Sequence, residues 1–390
     1  MKYNFDQLID RRNTNCTKLE RLTPLFGRND LLSLWVADMD FLTPPAITEA
    51  LKKRVEHGVF GYTIPSDGYY NSITNWLKKR HGWSVQKNEL TFVPGVVKGF
   101  AFAIDAFTEK GENIIIQPPV YHPFKMVTEQ LKRTIIDNPL FIENGKFRMD
   151  IAGLKEIVAQ KECKMLIFCN PHNPGGRVWS LEELRTLAEI CYDNKVLVVS
   201  DEIHADLALP GNQHIPFATV SEKARNNSIT LMAPSKTFNI AGLISSFAVI
   251  PNEEIRKMYM EYIEPRELFQ GTIFAYEATQ AAYEKCEDWL DEVLVYIQQN
   301  ATFVKDFLAK EIPQITPMIP EASFLIWLDC RALHLPQDEL VDLFVNKAKL
   351  ALNDGAMFGV GGEGWMRLNI GSPKSVLEKA LNNLKKAIKP

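Results

Sequence analysis

The chain has 390 residues, of which 46% are apolar and 24% charged, with a formal net charge of −4 at pH 7. This is a globular balance on a chain longer than one core serves, since cores stop growing at roughly 250–300 residues, so a large and a smaller domain are expected. No basic tract offers a phosphate footprint, which speaks against nucleic acid as a partner, and the longest apolar runs, such as 243–250, are too short to span a bilayer.

Residues 1–15 carry Asp6, Asp10, Arg11 and Arg12 and no apolar h-region, so no signal peptide is expected. The segment to about Leu32 is polar and reads as an irregular arm. Residues 34–41 (Leu-Trp-Val-Ala-Asp-Met-Asp-Phe) are apolar and then acidic, which predicts a short strand leading into Pro44-Pro45, where a helix can start. Residues 57–70, rich in glycine and tyrosine, read as a loop, followed by a helix to about His81.

From Leu90 the pattern alternates. Strand-length apolar runs fall at 90–93, 113–117, 134–136, 165–169, 196–200, 229–233 and 245–250. Amphipathic stretches lie between most of them: one after Gly95, one near Pro123, one over 151–160 and one over 181–193, the last opened by Ser180 and Glu183 at capping-box spacing. Strands alternating with helices predict a mostly parallel sheet with helices on its faces. Beyond Ile250 come helical stretches at 253–264, 273–283 and 287–311, strands at 324–329 and 365–370, and helices at 337–350 and 375–388. The expected division is a large α/β domain over 46–285, with the arm 1–45 and residues 286–390 forming a small α+β domain. None of the six cysteines forms a Cys-x-x-Cys pair; buried free thiols, no metal site and a cytoplasmic location are expected.

In parallel α/β sheets ligands sit beyond the carboxyl ends of the strands. Those ends carry Gly95-Val96-Val97, a glycine turn whose free N–H groups suit phosphate, and Tyr121, an aromatic. They also carry Asn170-Pro171-His172-Asn173-Pro174-Gly175-Gly176, Asp201-Glu202-Ile203-His204, and Ser235-Lys236-Thr237-Phe238. An acid at the end of an apolar strand is costly to bury without a cation. A lysine at a strand exit among neutral neighbours is placed for deprotonation and nucleophilic chemistry. Read singly, each has a plainer reading: a surface lysine, a loop acid, a packing aromatic.

Together, and with Met366-Arg367-Leu368-Asn369 near the end, these motifs resemble the pyridoxal-phosphate enzymes of the class I/II aminotransferase superfamily, whose fold is that of aspartate aminotransferase. Within it, residues 35–41 and the histidine of Asp-Glu-Ile-His are similar to the MalY/PatB-type cystathionine β-lyases. The resemblance implies that Lys236 holds the cofactor and moves the Cα proton, and that Asp201 pairs with the pyridine nitrogen. It also implies that Tyr121 stacks on the ring, Asn173 bonds its phenolic oxygen, His204 lies near that oxygen, and Val96, Val97 and Ser235 take the phosphate. Tyr62 would reach the neighbouring subunit's phosphate, making a homodimer, and Arg367 would clamp the substrate carboxylate. Two positions depart from the aminotransferase pattern: His204 stands where many have tyrosine, and Ile244 where many have an arginine on the phosphate. The leading expectation is β-elimination from cystathionine or a cysteine S-conjugate, with an amino-acid aminotransferase as the alternative. A ligand-sensing module is disfavoured by the intact Lys236–Asp201 pair and by the absence of a basic helix-turn-helix segment.

Overall fold

The structure, a computed structural model, describes residues 1–388. Residues 389 and 390, the last two of the second expected domain, lie outside the described residues. Each of the seven apolar runs becomes a strand: β1 Leu90–Val93, β2 Asn113–Ile116, β3 Thr134–Asp137, β4 Cys163–Cys169, β5 Leu197–Asp201, β6 Ser228–Met232 and β7 Ser246–Val249. They form one sheet in the order β1-β7-β6-β5-β4-β2-β3. Neighbours from β6 through β3 pair in parallel, whereas β7 runs antiparallel to both β1 and β6. Alternate side chains of the central strands leave on opposite faces. Ile114, Ile116, Met165 and Ile167 join one core cluster with Phe100 and Ile104. Ile115, Leu166, Phe168 and Val198 join another with Trp179, Leu184 and Leu187. Coverage on both faces is why these strands read as continuous apolar runs.

Helix α1, Val96–Phe107, follows β1 directly, and helices Ile151–Gln160 and Leu181–Asp193 have the predicted bounds. In the latter the Ser180 side chain accepts from the Glu183 N–H and the Glu183 carboxylate accepts from the Ser180 N–H, a closed capping box. The 25-residue helix Glu287–Glu311 leads to a second, antiparallel sheet of β8 Thr316–Met318, β9 Leu325–Asp329, β10 Asn353–Asp354 and β11 Trp365–Asn369, ordered β8-β9-β11-β10.

The N-terminal quarter differs from expectation. The arm holds two short helices, Thr17–Glu20 and Leu22–Phe26, and only Leu32–Ser33 is strand, paired in parallel with Leu350–Ala351. Residues 34–41 are not a strand, because side chains rather than a neighbouring strand take many of their backbone groups. Asn369 Nδ2 donates to the Val36 and Asp38 carbonyls (2.6 and 2.7 Å), and Asn239 Nδ2 to those of Met39 and Phe41 (both 2.9 Å). Lys18, 1% exposed, and Arg11 bind the acidic half through Asp38 and Asp40. The helix expected over 337–350 is shorter: Gln337–Asp342, a π-turn over Leu343–Lys347, then a left-handed Lys349 (φ +59°) that frees Leu350–Ala351 to pair with the arm. Among the described residues no helix is long and apolar enough to cross a membrane, and all six cysteines are free and buried.

Candidate active site

The sheet register decides which loops meet. Cys169 pairs with Asp201 and Asp201 with Leu231, so the exits of β4, β5 and β6 lie side by side. Because β7 is antiparallel, its entrance, with Ile244 and Ser245, comes to that same edge, where Ser246 pairs with Val93. The loops enclose a cavity of about 330 Å³, lined by Val96, Val97, Tyr121, Asn173, Asp201, His204, Ser235 and Lys236. Nine of the ten predicted site residues line it or, for Arg367, bond one of its walls. The tenth, Tyr62, is fully exposed within the chain and borders a larger open groove of about 1400 Å³. None of the side chains lining that groove is both buried and charged.

Lys236 sits in a single helical turn, Pro234–Thr237, that follows β6 with Pro234 at its first position. The turn is anchored from behind: Phe238 is fully buried and Thr237 Oγ1 donates to Asp206 Oδ2 at 3.0 Å. The Lys236 ammonium donates to the Ala37 carbonyl of the irregular N-terminal stretch. Burial pulls its pKa down to about 8, the Arg367 charge adding to the fall while Asp38 and Asp201 oppose it. Asp201, 4% exposed, accepts one hydrogen bond, from the Ile203 N–H at 3.1 Å. Burial pushes its carboxyl up to about 7, against the pull of that N–H and of Lys236. An amine biased toward its free base and a carboxylate short of partners thus share one wall.

Arg367, on β11, is buried, and every acceptor it meets is neutral. Nη1 donates to Asn173 Oδ1 (2.9 Å), and Nη2 to the Trp35 carbonyl (3.0 Å) and Asn353 Oδ1 (2.5 Å). Its Nε is buried with no partner, and its guanidinium lies 5.0 Å from the Phe358 ring centre. Burial lowers its pKa to about 10. A buried cation held without an anion is costly, and the arrangement suits an incoming carboxylate. Asn173 orients this arginine through its oxygen, leaving its amide N–H₂ for a ligand. His204 is driven to about 3 by burial and then by Lys236 and Arg367, so it is neutral; its Nδ1 is buried without a partner. Burial lifts the Tyr121 phenol to about 12, with the Asp201 charge second, so it keeps its proton.

Opposite, α1 opens directly onto the cavity. Gly95 takes φ +109°, a turn closed to most side chains, and its N–H is held by Ser246 Oγ at 2.8 Å. No side chain caps the helix, so the N–H groups of its first turn are left for an anion. Ile244 borders this end in a left-handed conformation (φ +53°, ψ 54°), a genuine outlier for a β-branched residue.

Pyridoxal phosphate fits this donor set. The amine of Lys236, the under-bonded Asp201 carboxylate, the Tyr121 ring, the Asn173 amide and the uncapped helix match its aldehyde, ring nitrogen, ring face, phenolic oxygen and phosphate. The residues that sequence reasoning missed are Asn353 and the carbonyls of Trp35 and Ala37. The latter two fall in a stretch singled out for its composition; nothing in the sequence marks Asn353.

A family model described as aminotransferase class I and II matches residues 29–384. The chain is 44% identical to cystathionine β-lyase PatB of Bacillus subtilis, over 99% of this chain and 100% of that protein. It is 33% identical to protein MalY of Escherichia coli, over 99% of each. Among solved structures it is similar to cystalysin from Treponema denticola, which contains pyridoxal 5′-phosphate: TM-score 0.96, 36% identity, covering 100% of this chain and 99% of that one.

Proposed function

The chain belongs to the class I and II aminotransferase family, and from that membership we propose a pyridoxal-phosphate-dependent carbon–sulfur β-lyase acting on cystathionine or a related cysteine S-conjugate. Its fold is that of aspartate aminotransferase. The observation that carries the reading is the meeting, at one cavity, of Lys236, an amine that gives up its proton more readily than an exposed lysine, with Arg367, a buried cation that has no anion. An α-amino acid brings the carboxylate Arg367 lacks and places its Cα beside the amine.

Bound pyridoxal phosphate supplies a protonated ring into which the electron pair left at Cα is drawn. Lys236 holds the cofactor through its amine and, once displaced by the substrate amine, takes the proton from Cα. Asp201, buried and accepting a single hydrogen bond, from the Ile203 N–H, keeps the ring nitrogen protonated. Arg367 fixes the substrate carboxylate, oriented by Asn173, Asn353 and the Trp35 carbonyl. Tyr121 and His204 stay neutral, one offering a ring face and the other adding no charge beside the amine. The C–S bond breaks at Cβ and sulfur leaves with the bonding pair, picking up a proton as a thiol. The three-carbon remainder takes up water to give pyruvate and ammonia.

Val96, Val97 and Ser235 take the phosphate. Tyr62, projecting from the chain surface, reaches the phosphate of a neighbouring subunit, so the enzyme is a homodimer; its full exposure in the single chain supports this. Cytoplasmic residence is supported by six buried thiols with no disulfide. A division at 46–285 against 1–45 with 286–390 is supported by the separate sheets within 90–249 and 316–369. The test is incubation with L-cystathionine and no keto acid. Stoichiometric pyruvate, ammonia and thiol are expected; amino transfer to an added keto acid with no thiol released would refute the lyase and favour the aminotransferase.

A further inference from the structure

We propose that Lys98 supplies the side-chain cation that balances the cofactor phosphate in this enzyme; the inference rests on the cofactor reading above. Two other cations belong to the site, and both are committed. Lys236 is used in holding the cofactor, and Arg367, held in place by Asn173, Asn353 and Trp35, is taken by the substrate carboxylate. Position 244, beside the phosphate end, is isoleucine. The N–H groups at the mouth of α1 are worth roughly half a charge, well short of a phosphate dianion.

Lys98 is the third residue of that helix and lines the same cavity. Side chains of a helix tilt toward its N-terminus, so the long stem lies back over the first turn. The residue is exposed, and among the described residues its ammonium makes no hydrogen bond or ion pair. The charge pattern of the same turn also favours an anion beside this lysine. The first turn of α1 carries no acidic residue and no side-chain cap, and its one charged group is this lysine. A cation there opposes the helix dipole, an arrangement that is unfavourable until an anion sits between them.

The test compares cofactor release from holoenzyme, followed by visible absorption on dilution, for the wild type, Lys98→Met, Lys98→Arg and Lys98→Met with Ile244→Arg. Lys98→Met is expected to release cofactor roughly two- to fivefold faster, the effect of losing an exposed ion pair. Lys98→Arg should match the wild type, and arginine at 244 should recover most of the loss. Added salt should speed wild-type release more than that of Lys98→Met. Loading with pyridoxal, which has no phosphate, should show the two proteins alike. Equal release of pyridoxal phosphate by wild type and Lys98→Met overturns the proposal, and so does equal weakening toward pyridoxal, which would mean lost packing. Wild-type protein with no phosphorus NMR signal from bound cofactor overturns the cofactor reading itself.

Discussion

Replacing Asp201 by asparagine in the cofactor-free protein measures what the site costs the fold. The folded carboxyl titrates near 7 and the unfolded one near its ordinary 3.8. Between those values the native chain holds a proton that the unfolded chain has released, so stability falls as pH rises through the window. A gap of about three pKa units at about 1.36 kcal/mol each amounts to about 4 kcal/mol, lost in full above pH 7. Asparagine has nearly the same shape and no charge to desolvate. Cofactor-free Asp201→Asn should therefore resist urea better than wild type at pH 8, by an amount approaching that figure. The advantage should fade toward pH 4. Lys236 does not enter this window, because its lowered pKa raises stability only from about pH 8 toward 10.5. In the presence of pyridoxal phosphate the order of merit reverses: the variant binds cofactor and loses turnover, since an amide cannot keep the ring nitrogen protonated. Urea titrations followed by tryptophan fluorescence at several pH values read the effect. Wild-type and variant curves that stay parallel from pH 4 to 8 would show that Asp201 carries no such desolvation cost.

Lys236→Ala should lose borohydride-reducible covalent cofactor and nearly all turnover; substantial residual activity would contradict its assignment. Arg367→Lys keeps the charge and loses the planar fork, so steady-state kinetics should show KM rising roughly ten- to a hundredfold with a smaller fall in kcat. Ile244→Gly relieves a left-handed β-branched residue that is half exposed and should raise the thermal midpoint, the strain being about 1 kcal/mol; a lower midpoint would mean the side chain packs usefully. Asn369→Ala removes both donors to the Val36 and Asp38 carbonyls and should cost about 2–4 kcal/mol while raising KM, as Trp35 and Ala37 lose their fixed positions.

The large sheet was legible because its strands are buried on both faces and its helices carry local stop and start signals, as at Ser180. The site was legible because a parallel sheet delivers its chemistry at strand exits, where Asp201 and Lys236 stand out against apolar runs. The antiparallel direction of β7 was not, since residues 245–250 are apolar whichever way they run. Nor was the irregular path of 34–41, which is dictated by Asn239 and Asn369, some 200 and 330 positions further on. Lys98 has the look of an ordinary solvated lysine until the cavity beside it is seen.

The tie between residues 34–41 and β11 also fixes when the enzyme can become active during synthesis. On a ribosome the seven-stranded sheet is complete once Val249 has emerged, and it already holds Asp201 and Lys236. The carbonyls of Trp35 and Ala37, made among the first, reach their final places only once Asn369 has been translated to hold Val36 and Asp38, and Trp35 then meets Arg367 across 332 positions. A nascent chain arrested in between presents a lysine and a carboxylate with no arginine. Because the proposed carboxylate clamp is completed last, an unfinished chain lacks the group that would hold a substrate amino acid in place.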